Sequence, residues 1–210
     1  AKPDSVVALT GFESDRGYLG LKAFTLDTAP PAGEPAARTT TAQAHSGQRS
    51  LALAWDKSSA PPARHGQPPP RPLLVASVDP PLPGVPTDLS LWVHGDGSGV
   101  LFYPVVGDTV GVSHGGHFRT FDLFLLRTAQ DDPQNAVRVD WTGWRELRFR
   151  LPVIPPGWDK PQPVLGFVPS YPLGLHLALD PATAATDSGT IYLDDIRVKT
   201  HLEPDARLAQ

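Results

Sequence analysis

The chain has 210 residues, is 40% hydrophobic and 19% charged, and carries a formal net charge of −4, a globular composition long enough to bury a sizeable core. That mild acidity lacks the basic excess that phosphate backbones or anionic membranes demand, so nucleic acid is not an expected partner. No apolar run approaches the roughly 20 residues of a bilayer-spanning helix, and the absence of cysteine removes disulfides and thiolate chemistry.

Proline and glycine, 25 and 19 residues respectively, interrupt every window in which apolar positions would otherwise recur at helical spacing. Alternation at period two is frequent instead. Val6–Leu9 opens the series, and Arg49–Trp55 follows with Leu51, Leu53 and Trp55 on one face. Leu73–Val78 is a short apolar run, and Leu89–His94 alternates again. Gly99–Val106, Phe118–Leu126, Glu146–Leu151, Leu173–Leu179 and Thr190–Val198 complete a set of about nine or ten predicted strands. The clearest of them sets Leu147, Phe149 and Leu151 against Arg148 and Arg150, the pattern of an antiparallel strand with one charged outer face.

Between these runs lie turn clusters such as Gly95–Gly99, Ser113–His117 and Pro155–Gly157. Residues 28–44 and 58–72, rich in Ala, Pro, Thr and Gly, read as exposed loops. The expectation is one all-β domain over 1–210: an antiparallel β-sandwich of the jelly-roll kind whose first and last strands lie together.

Five phrases in order carry a resemblance. They are Gly11–Glu13, Ser46–Leu51, Leu91–Gly99, Val139–Glu146 and Ser188–Ile196. Together they resemble the galactose-binding-like jelly-roll domains, a group with many calcium-containing carbohydrate-binding modules of bacterial secreted and cell-surface proteins. A preference for Arg over Lys and scarce Asn and Ile agree with a GC-rich bacterial source. The resemblance implies a structural calcium ion held by Glu13 and by Asp194 or Asp195, with backbone carbonyls near Ser50–Leu53. Such an ion would take six to eight oxygens and tie the two ends of the chain together. Unbroken alternation back from Ile196 and Val198 would turn Tyr192 and Asp194 towards the core, which favours Asp194 as the ligand unless a bulge intervenes.

The resemblance also implies a non-catalytic module that binds a polysaccharide or oligosaccharide and belongs to a larger secreted or cell-surface protein. Sugars are held by flat aromatic faces with polar groups around them, and Tyr103, His117, Arg119, Asp122, Trp158 and Tyr171 are the candidates. Trp92 with His94, and His176, form a further set, although Trp92, Trp141 and Trp144 are expected mainly to pack in the core. His114 and His117 in a glycine-rich turn offer imidazoles to a transition metal, without a third ligand at diagnostic spacing. No catalytic motif is present, so no catalytic residue is assigned. Two alternatives stand beside the first reading: a structural or protein-interaction domain of a bacterial envelope assembly, and a jelly-roll polysaccharide lyase or glycoside hydrolase.

Overall fold

Residues that alternate in the sequence alternate in space. In the strand Val85–Asp96, Leu89, Leu91 and Val93 are fully buried while Ser90, Trp92 and His94 between them keep partial exposure. The structure, a computed structural model, describes residues 5–14, 18–24, 37–57, 73–108, 137–150 and 173–201. Its strands are β1 (Ser5–Thr10), β2 (Tyr18–Phe24), β3 (Ala37–Thr40), β4 (Ser50–Asp56), β5 (Leu73–Leu82), β6 (Val85–Asp96), β7 (Val100–Asp108), β8 (Val137–Val139), β9 (Thr142–Arg150), β10 (Leu173–Asp180) and β11 (Ser188–His201). A 3-10 turn at Pro181–Thr183 joins the last two.

All strand pairs among the described residues are antiparallel. One sheet has the order β3-β4-β11-β6-β9 with β1 also on β11, and the other has the order β2-β5-β10-β7-β8. β11 organises the first sheet. One of its edges pairs with β6, while the other is shared between β4, opposite residues 188–193, and β1, opposite residues 196–200. The first and last strands therefore do lie together, with Val7 opposite Val198.

The two sheets bury one shared core. Leu51, Leu53, Leu91, Phe149, Ile191 and Leu193 come from the first, and Ala76, Val78, Phe102, Leu175, Leu177 and Leu179 from the second. Phe102 and Phe149 meet across the interior with ring centroids 6.1 Å apart at 70°, the edge-to-face geometry that aromatic quadrupoles favour. An all-β sandwich is thus what the alternation had implied.

Three strands arise where the sequence offers little. β2 and β8 had no predicted counterpart, and β3 lies inside residues 28–44, which read as an exposed loop; Ala37 there is 2% exposed and part of the core. Polar Ala-Arg-Thr-Thr forms a strand because its backbone pairs with β4, a tertiary gain that local propensity does not register. The predicted loop 58–72 and the predicted strand Phe118–Leu126 lie outside the described residues.

Leu193 is fully buried in the central strand, so Leu193→Ala is expected to lower the free energy of unfolding by about 3 kcal/mol in urea titration. The matching control is Val6→Ala on β1, at a site 70% exposed, which should stay within about 0.5 kcal/mol.

Candidate functional site

The alternation of β11 breaks at the Asp-Asp pair. Asp194 lies opposite Trp92 and Arg197 opposite Ser90, so three steps along β11 match two along β6. Asp195 takes up the extra residue with φ at 49°, a left-handed conformation of the kind a bulge requires. Ile196 and Val198 beyond the bulge are fully buried in the core. Tyr192 and Asp194 before it belong to the opposite, outer face, which corrects the expectation that they share a face with Ile196.

Asp194 is nonetheless 0% exposed, because the segment between β3 and β4 folds over it. Its Oδ2 accepts from the backbone N–H groups of His45 at 2.9 Å and Ser46 at 3.1 Å, and its Oδ1 from that of Asp195 at 2.8 Å. Asp195 Oδ1 accepts from the Ser46 hydroxyl at 2.8 Å, and Oδ2 lies 2.8 Å from His45 Nδ1. An ionised carboxylate only accepts, so Nδ1 carries the proton. Glu13, just past β1, accepts from the Gln48 N–H at 3.1 Å and the Arg49 N–H at 3.2 Å. Gly47 sits between these contacts with φ at 61°, and a Cβ there would lie 2.2 Å from Glu13 Oε1. A side chain there would push the Glu13 carboxylate off its amide donors, and the left-handed φ itself favours glycine.

The two aspartates respond in opposite senses. Burial raises the Asp194 carboxyl above its ordinary value, against the lowering effect of its three backbone hydrogen bonds. Burial also acts to raise Asp195, but hydrogen bonds from His45 and Ser46 and the charges of His45 and Arg197 outweigh it and hold the group below the usual range.

Glu13, Asp194 and Asp195, the three expected calcium ligands, are therefore gathered onto one short segment. N–H and O–H donors of residues 45, 46, 48, 49 and 195 engage these carboxylates, whereas a calcium ion takes six to eight oxygens directed at one point. Among the described residues, no three His, Asp or Glu side chains converge in a way that would hold a metal.

The same segment carries the chain to an aromatic cluster on the outer face of the first sheet. His45 stacks on Trp92 with centroids 3.8 Å apart at 14°, and meets the edge of Trp144 at 5.5 Å. Strand register places Tyr192 opposite His94 and His94 opposite Trp144. Their rings meet in perpendicular contacts at 5.7 Å and 5.3 Å. All five residues are half-buried. Trp92 and Trp144 were expected in the core, yet their neighbours Leu91, Val93 and Leu147 take the inward positions and leave both indoles outside. At the sheet end Trp141 does pack against the core, with the Arg145 guanidinium 4.3 Å above its ring.

The other candidates are placed only in part. Tyr103 lies in β7 with its backbone opposite Ala178, and its side chain is outside the described residues. His114, His117, Arg119, Asp122, Trp158 and Tyr171 lie wholly outside them. His176 sits between Leu175 and Leu177 in β10, 2% exposed, and burial lowers its pKa to about 4.

No protein-family model and no curated protein matches the sequence. Solved structures do match in fold. The family 11 carbohydrate-binding module from Clostridium thermocellum, in complex with a beta-1,3-1,4-mixed-linked tetrasaccharide, gives a TM-score of 0.50 at 12% identity over 97% of this chain and 100% of that one. The CBM22-1 xylan-binding domain from Paenibacillus barcinonensis Xyn10C gives 0.42 at 13% identity, over 98% and 99%. TmCBM27, a carbohydrate-binding module described for specific mannan recognition, gives 0.47 at 12%, over 94% and 96%.

Two outcomes follow from this geometry. Because amides satisfy the carboxylates, the melting temperature is expected to be the same in EDTA as in calcium; a calcium-dependent rise of several degrees would restore the ion to the site. His176 stays neutral in the folded chain down to about pH 4, whereas the unfolded chain takes up a proton near pH 6.5. The unfolded state thus binds the extra proton across this window, and stability falls as pH falls through it, by about 3 kcal/mol in full. His176→Gln should lack that part of the acid loss when unfolding is followed from pH 7 to pH 4.

Proposed function

We propose that the protein is a non-catalytic polysaccharide-binding module of a secreted or cell-surface protein, and that the outer face of its six-stranded sheet receives the glycan. The observation that carries this reading is the row Tyr192, His94, Trp144, set side by side on three adjacent strands and half-exposed. Aromatic faces and edges on a flat sheet match the apolar C–H patches of pyranose rings. Rings held by packing lose little freedom when a ligand arrives. The Tyr192 hydroxyl at the border of the row is suited to sugar hydroxyls.

The fold agrees with this reading, since the family 11 module that shares it was solved with a bound tetrasaccharide. The nearby carboxylates are committed elsewhere. Glu146 lies 2.9 Å from Arg148 Nη2, and Asp194 and Asp195 hold residues 45 and 46. A chain that does no chemistry on its ligand needs no acid and base facing one another across the row. No helix among the described residues is long and apolar enough to cross a membrane, and attachment through a larger secreted or surface protein is part of the proposal.

Retention of the protein on a panel of insoluble polysaccharides, or its retardation in gels containing soluble ones, tests the reading. Trp144→Ala and Tyr192→Ala are each expected to weaken binding about tenfold, equivalent to about 1.4 kcal/mol, without changing the melting temperature by more than a few degrees. A wild-type protein that binds no glycan on the panel would end the proposal.

A further inference from the structure

The aromatic row does not stand alone on its face. Register between β11, β6 and β9 lays out the outer side of the sheet in successive cross-strand rows. Beyond Tyr192, His94 and Trp144 comes the row of Trp92 and Glu146, beside Asp194 under its covering segment. Next comes Arg197, Ser90 and Arg148, and then Lys199, Asp88 and Arg150. Rows on one face are about 6.7 Å apart along the strands, so long side chains of one row reach the next.

Charge along these rows is uneven. Arg148, Arg150, Arg197 and Lys199 are all exposed, and Asp88 is the one acid within their two rows. Asp88 is half-buried and accepts the Thr87 hydroxyl at 2.8 Å. Glu146, one row along, accepts from Arg148 at 2.9 Å, and Arg197 lies near enough to Asp195 to lower its pKa. The strand on the far side adds no acid, since Val6 faces Lys199 and Ala8 faces Arg197. A chain with net charge −4 thus gathers four cations next to its aromatic row.

We infer that the glycan is an anionic polysaccharide, one that carries carboxylate or sulfate groups. The inference rests on the proposed glycan site and names its substrate class. The aromatic row offers stacking to the sugar rings, while guanidinium groups on β9 and β11 offer the forked donors that match a carboxylate or sulfate in two parallel bonds. A neutral glycan would do nothing to relieve the repulsion among these cations, which Glu146 beside Arg148 and Asp195 near Arg197 offset only in part. An acidic one relieves that repulsion on binding. Exposure puts the contribution under salt control, because charges at a surface are screened over roughly 10 Å at moderate ionic strength.

The experiment compares the whole chain on two matched pairs of polymers: polygalacturonate with its methyl ester, and dextran sulfate with dextran. At low salt, the charged member of at least one pair is expected to bind about tenfold tighter or better, with the advantage shrinking at high salt; which pair responds tells carboxylate from sulfate. Replacing Arg148 and Arg150 together by Gln removes two of the four cations and should cut the preference severalfold while leaving the melting temperature and any binding to the neutral member intact. Trp144→Ala should weaken the charged and neutral members alike. Binding to neutral glycans with no charge preference, or a preference that the double arginine change leaves undiminished, overturns the inference and leaves the glycan site standing. Binding to the charged polymers that keeps its full strength in Trp144→Ala is nonspecific ion pairing and also overturns it. Absence of binding to every polymer removes the glycan site itself.

Discussion

The rest of the structure depends on the burial of one carboxylate, Asp194, beneath the segment between β3 and β4. A carboxylate taken out of water demands hydrogen-bond donors, and the backbone amides of His45 and Ser46 supply them. That demand fixes the path of residues 43–49 over the sheet. Glu13 then fastens the far end of the same segment through Gln48 and Arg49, so the turn after β1, the β3–β4 connection and the middle of β11 are tied at one place. β1 and β4 abut the same edge of β11 end to end, and the tied segment lies where one gives way to the other.

The bulge at Asp195 is what makes this possible. Without the extra residue, the alternation that buries Ile196 and Val198 in the core would aim Asp194 into the core as well, where no amide segment could meet it. With it, β11 presents Leu193 inward, Asp194 outward and Ile196 inward again, and a strand that serves the core along its whole length still releases two carboxylates to the other face. A left-handed φ at a non-glycine residue is a small strain. It is offset here by the hydrogen bonds that Asp195 makes to His45 and Ser46.

Much of the sandwich was legible because apolar alternation is a direct record of which face is buried. The sequence of Leu89, Leu91 and Val93, and of Leu147 and Phe149, named the inner faces of β6 and β9 correctly. The same alternation held the signal for the aromatic row, since it leaves Trp92, His94 and Trp144 on the outer positions. The general tendency of tryptophan towards cores hid that signal. Other features left no local trace. A one-residue bulge within Asp-Asp-Ile changes the face of everything before it without changing the composition. β3 owes its existence to pairing rather than to its own residues. His45 could not be found from spacing, because it is brought to Asp195 by a fold across 150 positions of sequence.

His45 also joins two features that a sequence reading separates, a structural tie at the chain ends and a binding surface somewhere else. One nitrogen of its ring is held by Asp195, and one face of the ring lies on Trp92. Trp144 meets the edge of that ring, His94 meets Trp144, and Tyr192 meets His94. Each aromatic contact is worth about 1 kcal/mol, so no single one would fix the row. Anchored at Asp195, whose carboxylate stays ionised through these same contacts, the series of perpendicular packings has one end that cannot drift. The carboxylates that tie the chain together are thereby the groups that hold the outer surface in shape.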